Sequence, residues 1–147
     1  MAHVVEIRLL LEESAKLLRV LYKHDTQLYK EPLSRTLYHL GAHLCSAGYW
    51  ERAEESLREA TSLHRQLYSA DASEHNGACL ALMLHEYAES LEKLERKDEA
   101  QQVISEALVL RRKLFGTRCG PTSEIPAYVR SYGDYLFLDK SLLSDSE

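Results

Sequence analysis

Proline and glycine are scarce in this chain, three and six among 147 residues, and runs of Val, Ile and Thr are almost absent. That scarcity excludes a turn-rich β architecture, and no stretch of four or more alternating residues outweighs a helical spacing. Three cysteines (Cys45, Cys79, Cys119), an odd number with no CxxC pair, exclude a disulfide framework and fit a reduced, cytoplasmic compartment. Basic charge is also short: a net charge of −5, with basic residues single or in the Arg111–Lys113 cluster, excludes a general nucleic-acid grip. No long hydrophobic run exists. "MAHVVEIRLLLEESAKLL" lacks a basic region before its apolar residues and is broken by glutamates, so neither a signal peptide nor a membrane span is expected. A glycine-rich phosphate loop is missing as well, because "GTRCGP" has neither a strand before it nor a following Lys-Ser/Thr.

What remains is a chain rich in Leu, Ala, Glu, Arg and Ser, residues that lose little rotamer freedom in a helix. Leu10, Leu11, Ala15, Leu17, Leu18, Leu21 and Tyr22 form a stripe that predicts a first helix over residues 3–29. Pro32 suits the first turn of a second helix, and Gly48 supplies its left-handed stop. A third helix is expected over 50–68, with "SADASEHNG" as connector, and a fourth over 77–95. Asp98 is placed as N-cap of a fifth helix, which ends at Phe115 before Gly116. After the loop "GTRCGPTSEIP" a sixth helix is expected over 127–139, and the last residues, 144–147, form a frayed tail.

The helices repeat. Leu37, Leu40, Gly41 and Leu44 recur 47 positions later as Leu84, Tyr87, Ala88 and Leu91, and Ala53, Leu57 and Ala60 as Ala100, Ile104 and Ala107. Val129, Tyr132, Gly133 and Leu136 start a third copy, and Ser14, Leu18 and Leu21 of the first helix stand for Ala53, Leu57 and Ala60. The phrase "QLY" at 27–29 and 66–68 then marks one point in both. Small residues at such places let two helices approach to about 8–10 Å.

This pattern resembles the tetratricopeptide repeat. Leu37, Leu40, Gly41, Leu44, corner Gly48, Ala53, Leu57 and Ala60 fill the family signature, and Trp50 stands where the family often has an aromatic. The second copy departs from it: Glu95 replaces the corner glycine and Lys97 the aromatic, which predicts a corner built differently. The longer period is similar to that of kinesin light chains and fungal signalling proteins. The resemblance implies an all-α, right-handed α-solenoid of antiparallel hairpins with about six helices. Its single domain, 1–143, divides into a half-repeat (3–29), repeats at 32–69 and 77–115, and a half-repeat (122–139).

In such an array the first helix of each hairpin lines a concave wall. The outward positions implied are Arg35, Tyr38, His39, Ala42 and Cys45, then Leu82, His85, Glu86, Glu89 and Lys93, then Arg130 and Asp134. Family members that clamp a chaperone's C-terminal carboxylate use Lys and Asn donors; Tyr38, Ala42 and Glu86 fill those places here, so that clamp is not expected. His39 and His43 have a spacing that could serve zinc, and Cys45 is close, but no HExxH glutamate or obvious third ligand accompanies them, and no metal or cofactor is expected. No cysteine stands in a Cys–His arrangement, so the expected role is non-catalytic: an adaptor or scaffold that binds a protein or peptide on the concave wall. The alternative is a segment of a longer array that self-associates through open ends or positions neighbouring domains.

Overall fold

The computed structural model describes residues 2–115, and among them every regular element is an α-helix: α1 (Ala2–His24), α2 (Thr26–Ser46), α3 (Trp50–Ala70), α4 (Glu74–Lys93) and α5 (Lys97–Phe115). The expected sixth helix, Gly116 and Cys119, together with Arg130 and Asp134, lie outside the described residues.

The first helix breaks at Asp25 rather than running to residue 29. Asp25 takes an extended conformation (φ −141°, ψ 94°), and its carboxylate accepts the Leu28 backbone N–H at 3.0 Å, which caps α2. Pro32 therefore lies inside α2 and not in its opening turn. It withholds a single backbone bond from the carbonyl of Leu28, a residue 62% exposed. The two "QLY" phrases are not equivalent either: one opens α2 and the other closes α3.

α4 starts at Glu74, three residues ahead of the expected Gly77, because Ser73 accepts the Asn76 backbone N–H at 3.3 Å. Gly77 has a packing role instead. A Cβ there would stand 3.0 Å from Leu114 Cδ2 and 3.2 Å from Tyr68 Cε2, so its absence lets the ends of α3 and α5 close on α4. Asp98 falls in the first turn of α5, where its charge favours the N-terminal dipole.

The corner expected to differ is the same corner twice. After α2, the N–H groups of Ala47, Gly48 and Tyr49 reach the carbonyls of His43, Cys45 and Leu44 at 3.2, 3.0 and 2.9 Å. After α4, those of Leu94, Glu95 and Arg96 reach Ser90, Glu92 and Leu91 at 3.1, 3.0 and 2.9 Å. Both sets satisfy helix-end carbonyls with a left-handed residue at the turn. Gly48 has φ +82°, and Glu95 adopts φ +62° without being glycine.

The hairpin crossings fill as the small residues predict. Gly41 meets α3 so closely that a Cβ would lie 2.5 Å from Leu57 Cγ. Ala53, Leu57 and Ala60 are fully buried, as are Leu33, Leu37, Leu44, Leu84 and Leu91 at 1% exposure or less. Burial of each such leucine contributes about 1.5–3 kcal/mol.

Consecutive helices pack against each other, and α2 and α4 also come into direct contact across the hairpins. On the opposite side, ion pairs between long side chains span α1, α3 and α5. These are Arg19–Glu59 at 2.7 Å, Arg65–Glu106 at 2.8 Å, and Arg52–Glu12. Two layers result, α2 with α4 and α1 with α3 and α5.

α1 aligns with α3 in a register different from that expected. Asp25 and Asp71 share one conformation (φ −141°, ψ 94° and 98°), and their N–H groups bond Leu21 and Leu67 at the same 2.9 Å. In that register Ile7, Leu11 and Ser14 take the places of Ala53, Leu57 and Ala60, which supersedes the pairing with Ser14, Leu18 and Leu21. Ala15 and Leu18 bury against α2, whereas Ile7, Leu10 and Leu17 remain 45%, 67% and 61% exposed. The face that α3 uses against α2 is thus open on α1.

Candidate functional site

The two helices of the first layer carry all the described positions assigned to the concave wall. Arg35, His39, Glu89 and Lys93 are exposed, and Ala42 and His85 are half-buried. Tyr38, Cys45, Leu82 and Glu86 are buried, contrary to their assignment as outward-facing, with 8%, 8%, 4% and 9% of their surfaces accessible. Helix spacing alone assigns one packed side to each helix. An inner helix of this array has more: α2 touches α1, α3 and α4, and α4 touches α2, α3 and α5.

The exposed members have distinct local partners. Arg35 pairs with Glu31 one turn back, at 3.1 Å. Lys93 extends its ammonium over the Trp50 ring, 5.6 Å from the centroid, tying the end of α4 to the start of α3. His39 tilts against Tyr38 with ring centroids 5.4 Å apart, and burial with the nearby Arg35 charge lowers its pKa. His43, one turn on, is half-buried with Nδ1 enclosed and unpaired, so the two histidines do not share an environment. Among the described residues no three His, Cys, Asp or Glu side chains are grouped to hold a metal ion.

Glu86 is the unusual member. Burial, reinforced by Glu89 one turn on, pushes its carboxyl up to about 7. No described side chain or backbone group donates a hydrogen bond to it or forms an ion pair with it. Glu86 keeps 9% of its surface accessible. Burial, with Glu86 and Glu89 acting across the α2/α4 contact, pushes the Cys45 thiol up to about 12. A thiol so placed is not an activated nucleophile. Cys79 does approach a histidine, with Sγ 3.8 Å from His75 Nε2 on the same helix, an arrangement the sequence reading did not anticipate. Burial raises the Cys79 pKa too, the opposite of what a thiolate nucleophile needs.

Two buried polar clusters escaped the sequence reading. Ser34 donates to the Ala60 carbonyl at 3.1 Å and lies 3.0 Å from His64 Nδ1 and 3.7 Å from Met83 Sδ. Burial drives the His64 pKa down to about 4. The cluster joins α2, α3 and α4. Glu54, 4% exposed, accepts from Tyr87 Oη at 3.4 Å and lies 3.5 Å from both Arg58 and Arg96. A glutamate beside the buried Ala53 was the available signal, since a charge at that phase of a helix needs partners.

The second layer offers an open depression of about 450 Å³, lined by Arg19, Glu55, Ser56, Arg58, Glu59, Ser62 and Leu63. Its Arg19 and Arg58 are paired with Glu59 and Glu54. No helix of the described residues is long and apolar enough to cross a membrane. Comparison of the chain with models of protein families, with curated proteins and with solved structures finds no match.

Proposed function

We propose that the chain is a non-catalytic interaction module of tetratricopeptide-repeat type, an adaptor that takes a peptide or protein partner on the α2/α4 layer. The carrying observation is the recurrence of one corner at Gly48 and Glu95 with matching hydrogen bonds, because equivalent corners stack equivalent hairpins. The direct α2/α4 contact, set against side-chain bridges on the α1/α3/α5 side, supports a wall that curves inward at α2 and α4. A right-handed solenoid and a cytoplasmic setting belong to this reading. Arg35, His39, Ala42, His85, Glu89 and Lys93 form its accessible surface, with Glu86 opening between them.

The test is two-sided binding by a partner recovered in an interaction screen. His39→Glu with Glu89→Arg should weaken it about tenfold or more, whereas Glu55→Arg with Gln66→Glu on the outer side of α3 should leave it unchanged. The reverse pattern would contradict the assignment.

A second reading has its own support. The exposed Ile7, Leu10 and Leu17 stand where α3 receives α2, so α1 is built to receive another helix, as in a longer or self-associating array. Light scattering over a range of concentrations separates the readings: growth in mass that Leu10→Glu/Leu17→Glu abolishes favours association, and an unchanging monomer mass opposes it.

A further inference from the structure

We infer that the α2/α4 layer carries a specific cation subsite, in which the carboxylates of Glu86 and Glu89 receive the guanidinium or ammonium group of a basic side chain in the bound partner. This deepens the proposed function and rests on it.

Three observations carry the subsite. Glu86 is 91% buried (9% exposed), yet no group of the described residues neutralises it. A buried carboxylate without a donor is costly, and proteins ordinarily pair such groups. Glu54, also buried, shows that practice here, with Tyr87, Arg58 and Arg96 around it. Glu86 keeps 9% of its surface open, and that opening is the route by which a ligand reaches it. Glu89 is exposed one turn further along α4, and Cys45, a neutral thiol from α2, faces the pair. Two carboxylates one turn apart suit a guanidinium, whose fixed fork of donors can bond both, better than a hydrophobic or acidic group.

The subsite is selective in charge and sensitive to pH. Of the cations on the described α2/α4 surface, Arg35 is occupied by Glu31 and Lys93 by the Trp50 ring, so neither fills the place from within. Because the Glu86 carboxyl titrates at about 7, a bound cation lowers that value and releases a proton near neutrality.

The experiment uses a phage-displayed random decapeptide library panned on the full chain, with the site mapped by cross-linking. Recovered peptides are expected to share one Arg or Lys and to cross-link to α2 or α4. Replacing that Arg with its neutral isostere citrulline should weaken binding about tenfold or more on the wild type, and under twofold on Glu86→Gln. Affinity should fall about tenfold from pH 8 to pH 6, the ratio of ionised fractions for a carboxyl titrating near 7. The citrulline comparison and the pH series need no variant, so they hold even if Glu86→Gln folds poorly. Peptides that cross-link to α2 or α4 but tolerate citrulline would overturn the subsite and leave the proposed function standing. Peptides that bind only elsewhere, or none recovered, would overturn both.

Discussion

Glu95 stands in the left-handed corner that Gly48 occupies one hairpin earlier, with φ +62° against +82° and the same three backbone hydrogen bonds around it. A side chain at positive φ costs about 1–2 kcal/mol, so the second corner is kept by the packing of its helices and not by its own preference. Arg96 supports the same turn, bonding Glu99 at 2.8 and 2.6 Å and reaching Glu54 at 3.5 Å.

The two corners should therefore respond oppositely to substitution. Glu95→Gly is expected to stabilise the protein by about 1 kcal/mol, and Gly48→Ala to destabilise it by a similar amount. Urea unfolding of each variant reads both signs. A loss of stability in Glu95→Gly would show that the side chain contributes more than its backbone strain costs.

The crossing of α2 and α3 should be intolerant of a single methyl. Gly41→Ala places Cβ 2.5 Å from Leu57 Cγ, a branch point close to the backbone that cannot swing away freely. Its expected cost is about 1–3 kcal/mol. In a double-mutant cycle with Leu57→Ala the double variant should lose less than the two single losses added together, because the second change removes the clash. Additive losses would place the crossing elsewhere.

Removing the buried Glu54 should strand Tyr87 Oη and loosen Arg58 and Arg96. Glu54→Ala is expected to cost about 1–3 kcal/mol, the range for leaving a buried donor such as Tyr87 Oη without its acceptor, because Arg58 and Arg96 are exposed enough to rehydrate. Chemical denaturation measures it, and a change below about 0.5 kcal/mol would mean that the cluster behaves as a surface ion pair.

Two groups give stability opposite slopes with pH. Glu86, raised from 4.5 to about 7, favours the folded state while protonated, and that contribution is lost as pH rises between those values. His64, lowered from 6.5 to about 4, favours the folded state while neutral, and its contribution is lost as pH falls through that window. The slopes oppose each other from 4.5 to 6.5. Glu86→Gln should unmask the histidine, so the melting temperature of the variant should gain on the wild type steadily as pH rises from 4.5 to 7. A constant difference would contradict the titration.

Much of the fold was legible because close approach between helices demands small residues at fixed places: Gly41, Ala53, Ala60, Ala88 and Ala100 are all buried as their spacing required. The break at Asp25 was not, since α1 and α2 have apolar stripes that run on in phase and one extended residue with a capping carboxylate separates them. Glu95 misled because backbone conformation at a corner can be imposed by the helices it joins. On the candidate wall, helix spacing placed Arg35, His39 and Glu89 at positions that are exposed. It could not show that Tyr38, Leu82 and Glu86 are covered, because how many neighbours surround a helix is a property of the whole array.

The central claim is that partners are received on the α2/α4 layer. Its most direct measurement is amide NMR of the labelled chain titrated with a peptide or protein partner obtained by selection. The account predicts shifts concentrated at residues 35–46 and 82–93, with Glu86 and Glu89 among the largest. Shifts confined to α1, or to the outer surface of α3 and α5 around Glu59, Arg65 and Glu106, would contradict it.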